Sequence, residues 1–192
     1  MYQLNNSIRP RYSRQLLTVA AGLGILAAAA GAGTSPSEAA VADYTVWTSV
    51  PSACSPDEAS TGRYDAHVSA FKHANGATGQ LVTRCNVVNL PEFGLGDSQR
   101  LQAVYRDTDG VGTGQQVLVD LIQARPDGST VILARLNSNS FSGSQASQTR
   151  SVGYTHNFDF EHNAYYVEVR VTRSSTSTTP AASTVRLTSF AS

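Results

Sequence analysis

The segment Ala164–Arg173 constrains the fold more than any other. Tyr165, Val167, Val169 and Val171 alternate there with Tyr166, Glu168, Arg170 and Thr172, and a period of two sends the first set to one face of a β-strand and the second to the other. A strand with one apolar and one charged face needs a core on one side only, the condition met in antiparallel sheets. Similar though less regular segments lie at Tyr44–Val50, Arg63–Phe71, Thr78–Val88, Arg100–Arg106, Gln115–Ala124, Ser129–Leu136, Arg150–Phe160 and Ser183–Phe190. No window beyond residue 42 sustains an apolar 3.6-residue period over three turns. About nine short strands without intervening helices predict an all-β, two-sheet antiparallel β-sandwich, jelly-roll or immunoglobulin-like, as one domain over 43–192.

Local chemistry refines this picture. Arg125-Pro126-Asp127-Gly128 separates two strand segments; Pro presets φ and Gly accepts positive φ, so a tight hairpin is expected. Val117, Leu118, Val119, Leu121 and Ile122 are apolar on both faces of their strand, as are Val131, Ile132, Leu133 and Leu136 on the next. Both strands are therefore expected near the centre of a sheet covered at least in part on each side. Asn137–Ser147 and Ser174–Ser183 are rich in small polar residues and are read as solvated loops.

Charge separates the first 42 residues from the rest. Arg9, Arg11 and Arg14 precede an apolar run over 16–33, followed by small residues that end in Ala40-Val41-Ala42. A basic region, an apolar region and an A-x-A site make a secretory signal peptide over 1–42, with no membrane span once it is removed. Removing those three arginines and Glu38 from totals of 14 basic and 14 acidic residues leaves 11 basic against 13 acidic. A mildly acidic domain with no cationic field disfavours nucleic acid as a partner. Cys54 and Cys85 form an even pair in an exported chain, for which a disulfide is the expected state.

Three stretches, Val50-Pro51-Ser52-Ala53-Cys54-Ser55-Pro56-Asp57, Tyr105-Arg106-Asp107-Thr108-Asp109-Gly110 and Asn163-Ala164-Tyr165-Tyr166-Val167, resemble a pattern in small exported β-sandwich proteins of Gram-negative bacteria, a group of uncharacterised function. The resemblance implies export and a sandwich, and it brings no catalytic residues with it.

Candidate sites follow from residue types. Asp107 and Asp109 in a Gly-rich loop supply the hard oxygen ligands that calcium prefers, with Asp97 and Asp120 as further ligands if folding brings them near, although the loop lacks EF-hand spacing. His156, Asp159, Glu161 and His162 form the densest polar constellation. On an extended strand, Asp159 and Glu161 share a face about 6.5–7 Å apart, a separation that paired acid/base carboxylates tolerate. The segment also reads as an amphipathic strand, with Phe158 and Phe160 inward. His67 and His73 have no partner at useful spacing, and no nucleophile elbow, H-E-x-x-H motif or phosphate-binding loop occurs.

Aromatic residues offer another use. Trp47, Tyr44, Tyr105, Tyr154 and Tyr166 are candidate stacking platforms for sugar rings. Parity puts Tyr166 on a polar face with Glu168 and Arg170, so the expected ligand set is Tyr166, Glu168, Arg170 and Trp47, with an extracellular glycan or cell-surface component as partner. The expected function is an exported, non-catalytic binding or surface-structural module, with glycan or matrix binding favoured, no catalytic residues, and calcium as the one candidate cofactor. A self-assembling surface fibre subunit is one alternative. A hydrolase or metal site around Asp159 and Glu161 is the other.

Overall fold

Alternation along the chain becomes two antiparallel sheets. The computed structural model describes residues 43–67, 69–91, 93 and 98–190, all within the compact unit Ala39–Ser192; the leader expected over 1–42 lies outside the described residues. Eleven strands occur among them: β1 Asp43–Ser49, β2 Ser55–Pro56, β3 Tyr64–His67, β4 Ala70–His73, β5 Gly79–Val87, β6 Ser98–Asp107, β7 Gln115–Ala124, β8 Thr130–Asn137, β9 Ser144–Tyr154, β10 Ala164–Arg173 and β11 Ala181–Phe190. One sheet runs β3-β4-β11-β6-β9, with β1 also paired to β11, and the other runs β2-β5-β10-β7-β8. From β5 onward the chain crosses between sheets at every connection except β7 to β8. The expected two-sheet sandwich is the observed fold.

The inner faces meet in one core. Leu81, Val117, Val119, Leu121, Val167, Val169 and Val171 from the five-stranded sheet pack with Leu101, Ala103, Tyr105, Val185 and Leu187 from the six-stranded sheet. Each fully buried Val or Leu contributes roughly 1.5–3 kcal/mol relative to exposure. Phe71 and Trp47 complete the cluster. Cys54 and Cys85 form a disulfide with Cα atoms 4.8 Å apart, which ties the segment before β2 to the core side of β5.

Several elements differ from expectation. The segment Arg63–Phe71 is not one strand but the hairpin β3–β4, in register from Tyr64↔His73 to His67↔Ala70; the sequence between the two strands carries no Gly, Pro or Asn to announce a turn. The strand expected over Arg150–Phe160 lies earlier, at Ser144–Tyr154, and 155–160 is loop. Polar residues predicted as loop therefore supply the first part of an edge strand. The hairpin at Arg125–Gly128 is present, closed by Gly128 N–H donating to the Arg125 carbonyl at 3.0 Å, with Gly128 at φ 83°. Strand β7 lies inside its sheet, whereas β8 forms the edge, and Ile132 is exposed there.

Candidate functional site

The outward residues of β5, β10, β7 and β8 form ordered rows, because β5, β10 and β7 are paired in continuous register and β8 joins β7 with one shift, between Leu121 and Ile122. Tyr166 stands between Asn86 and Ile122, which is opposite Ile132. Glu168 stands between Arg84 and Asp120, which is opposite Arg135. Neighbouring strands are about 4.8 Å apart and successive outward residues about 6.5–7 Å apart along a strand. An apolar row of the half-buried Tyr166, the buried Ile122 and the exposed Ile132 thus runs beside a charged row, so that Tyr166 and Ile132 supply its accessible surface, and Arg170 opens the next row.

The charges form a ladder across four strands. Arg84 Nε donates to Glu168 Oε2 at 2.8 Å, and Arg170 Nε lies 3.0 Å from Glu168 Oε1, an ion pair outside hydrogen-bond alignment. Arg170 Nη2 donates to Asp120 Oδ2, while Arg135 donates from Nε and Nη2 to Asp120 at 2.7 and 2.9 Å. The Asp120 carboxylate is fully buried beneath these arginines, whereas the Arg84 and Arg135 side chains are nearly half exposed, at 48% and 47%. The Arg135 guanidinium is pushed upward in pKa, chiefly by its hydrogen bonds to Asp120. Two acids shared among three arginines fix the guanidinium planes and leave one net positive charge. Planar donors held in this way suit hydroxyl and oxyanion recognition.

The structure brings Tyr166, Glu168 and Arg170 together on this face and removes Trp47 from it. Trp47 is in the core with 7% exposure; a bulge between Thr45 and Trp47 shifts the register of β1, so that Val46 and Trp47 are both buried. Tyr105 is fully buried and Tyr154 half-buried against the core, so neither offers an open ring face. The Tyr44 side chain lies outside the described residues. Arg84, Asp120 and Arg135 were not expected on the face, since strand order alone brings them to the row of Glu168.

The carboxylates read as calcium ligands cap their own loop. Asp107 is fully buried; its Oδ1 accepts from the N–H groups of Asp109 and Gly110 at 3.2 Å each, and its Oδ2 accepts from the Ser138 hydroxyl. Asp109 Oδ2 accepts from Gly114 and Gln115 N–H at 2.9 and 3.1 Å. Burial pushes the Asp107 carboxyl upward, with the Ser138 bond opposing. Asp120 is on the outer face of β7, in the ion ladder, and Asp97 lies outside the described residues. Among the described residues no group of three or more His, Cys, Asp or Glu side chains is arranged to hold a metal.

Asp159 and Glu161 lie in a turn, so the shared strand face expected of them is absent. Asp159 Oδ1 accepts from Glu161 and His162 N–H at 3.2 Å each, and Oδ2 lies 3.0 Å from His162 Nδ1. Hydrogen bonds from His162 hold the Asp159 carboxyl below its ordinary pKa although desolvation opposes them. Phe158 and Phe160 do turn inward, stacked on each other at 5.5 Å and meeting Tyr165 edge-on at 4.8 and 4.9 Å and Phe93 tilted at 4.5 and 5.3 Å. His156 Nε2 is 3.1 Å from the Tyr165 hydroxyl, and burial lowers its pKa. His73 is buried and its Nε2–H donates to the Gly79 carbonyl at 2.9 Å; the His67 side chain lies outside the described residues.

No family model and no curated protein matches the chain. Among solved structures it is similar to a xylan-binding module, CBM15, at 12% identity and a TM-score of 0.42, over 77% of this chain and 96% of that one. A non-crystalline cellulose specific carbohydrate-binding module, CBM28, is similar at 11% identity and a TM-score of 0.27, over 64% of this chain and 80% of that one. Xylanase10C from Cellvibrio japonicus, in complex with xylopentaose, is similar at 12% identity and a TM-score of 0.36, over 65% of this chain and only 24% of that one. At such low identity and TM-score these likenesses assign no ligand here.

Proposed function

We propose that this protein is an exported, non-catalytic module that binds glycan through the outer face of its five-stranded sheet. The observation that carries the reading is the apolar surface of Tyr166 and Ile132, on either side of the buried Ile122, beside the ladder of Arg84, Glu168, Arg170, Asp120 and Arg135. A sugar ring has one face of C–H groups and a rim of hydroxyls, and an apolar strip beside fixed charged donors complements both. Strands hold the side chains in place, so little ordering entropy is lost on binding. The disulfide supports an oxidising compartment outside the cytoplasm. Among the described residues no helix is long and apolar enough to cross a membrane.

Fibre assembly is less well supported. Strand β11 pairs with β6 on one side and with β1 and β4 on the other, so both edges of the C-terminal strand are occupied and a donated strand has no place beside it.

The test is a glycan array followed by titration calorimetry on the positive glycans. Tyr166→Ala is expected to weaken binding roughly tenfold, the loss of about 1.4 kcal/mol of aromatic contact, with the melting temperature unchanged. A wild-type array with no signal overturns the reading.

A further inference from the structure

The opposite face of the sandwich carries a cavity. Lys72, Ala181 and Arg106 are in direct register across β4, β11 and β6, which sets the two cationic residues about 10 Å apart at the backbone. Between them Ala181 offers only a methyl group, so the row dips in its middle. Two irregularities flank the dip. Ser183 falls at a register shift between Ala182 and Thr184 of β11, and Gln145–Ser147 of β9 bulge opposite Arg106. Bulges re-aim side chains, and both Ser147 and Ser183 line the resulting cavity of about 230 Å³ together with Lys72, Arg106 and Ala181. That volume lies below the roughly 300–1,000 Å³ of pockets for drug-sized ligands and suits one small group or one sugar.

The charge of the cavity is unbalanced. Arg106 donates through Nε and Nη2 to the Thr179 carbonyl at 2.9 and 2.7 Å, and through Nη2 to the Thr179 hydroxyl at 2.7 Å. Its anchors are neutral oxygens, and among the described residues no carboxylate pairs with it. Lys72 lies 3.4 Å from Asp65, but both side chains are substantially exposed, and such a pair is worth little and exchanges readily. Two cations and serine hydroxyls therefore line a small open cavity whose arginine is already fixed in place, and Asp65 pairs with Lys72 from outside the lining. Arginine held in one geometry beside a lysine point charge is an arrangement that recognises oxyanions.

We infer that this cavity, formed by Lys72, Arg106, Ser147, Ser183 and the Ala181 floor, binds the oxyanion of a small ligand, a carboxylate or sulfate group such as an acidic sugar carries. The site is separate from the Tyr166 face and does not depend on the reading given to that face.

Calorimetric titration of the disulfide-bonded full chain at low ionic strength tests it with three probes: digalacturonate, inorganic sulfate and a neutral disaccharide. Digalacturonate binds, the neutral disaccharide does not bind at this site, and added salt weakens the interaction. Binding of sulfate as well shows that the oxyanion alone suffices, whereas digalacturonate binding without sulfate shows that the sugar contributes. Lys72→Gln loses roughly tenfold in affinity, the scale of one charge-assisted hydrogen bond. Ala181→Leu fills the floor and loses at least as much without altering charge. Tyr166→Ala leaves this binding unchanged. The proposal is overturned if neither anion binds the wild-type protein, or if a bound anion is held equally well by Lys72→Gln and Ala181→Leu variants of unchanged melting temperature.

Discussion

Asp120 is the residue on which the outer face most depends. It is fully buried on the side of the sheet opposite the core and holds both Arg135 and Arg170. Asp120→Ala leaves Arg135 without its carboxylate and Arg170 with Glu168 alone, and a loss of about 3 kcal/mol is expected, the low end for breaking a buried ion pair because Arg135 is half exposed. Urea unfolding of this variant against Glu168→Gln checks it; equal, small losses from both would show that the ladder is an ordinary surface network. Cys54 and Cys85 close a loop of 31 residues in sequence separation, and the Cys54→Ser/Cys85→Ser variant is expected to lose roughly 3–4 kcal/mol on the chain-entropy account, measured by the same unfolding curve. Both cysteines were legible from the sequence because pairing follows from number and compartment. Trp47 was not, because one extra residue in β1 reverses which side chains face inward.

At the scale of elements, the β6–β7 loop and the segment after β8 meet through side-chain bonds, Ser138 to Asp107 and Asn139 Nδ2 to the Gly112 carbonyl, and through a close backbone approach. Gly110 has φ 58°, and a Cβ there would stand 2.2 Å from the Gly143 nitrogen, while a Cβ on Gly143 would stand 2.6 Å from the Thr108 carbonyl oxygen. Gly110→Ala therefore combines a left-handed conformation with a backbone clash, and at least about 1–3 kcal/mol of destabilisation is expected. Gly128→Ala, with positive φ but nothing within 4 Å, provides the control and should cost clearly less in a thermal melt. The Asp107-to-Gly114 run reads in sequence either as a cation loop or as a capped Gly-rich turn, because carboxylates and glycines together serve both purposes. Here the glycines permit close approach of two loops and the carboxylates cap N–H groups. The β3–β4 hairpin was illegible for the opposite reason, since no Gly, Pro or Asn separates the two strands in the sequence and the pairing of β4 with β11 places the second strand.

For the whole molecule, burial of two histidines predicts the response to acid. His73 and His156 both have pKa values lowered from 6.5, chiefly by burial. A depressed histidine pKa means that the unfolded chain takes up protons first, so their contribution to stability is present above about pH 6.5 and is lost as pH falls through the folded values. Asp107, raised from 3.8 by burial, has the other sign: its contribution is present below its ordinary value and disappears as pH rises through the folded one. The melting temperature is thus expected to fall between about pH 7 and pH 5, and a His73→Gln/His156→Gln variant should flatten that slope; an unaltered slope contradicts the assignment. The sequence by itself determined the all-β class, the β7–β8 hairpin, the cysteine pair and the face shared by Tyr166, Glu168 and Arg170, because each depends on period, turn chemistry or parity within a short stretch of chain. Only the tertiary structure decided which strands become neighbours, and with that the rows joining Arg84, Asp120 and Arg135 to Glu168 and setting Lys72 and Arg106 on either side of Ala181. Such rows depend on pairing between segments far apart in the chain, which no local pattern encodes.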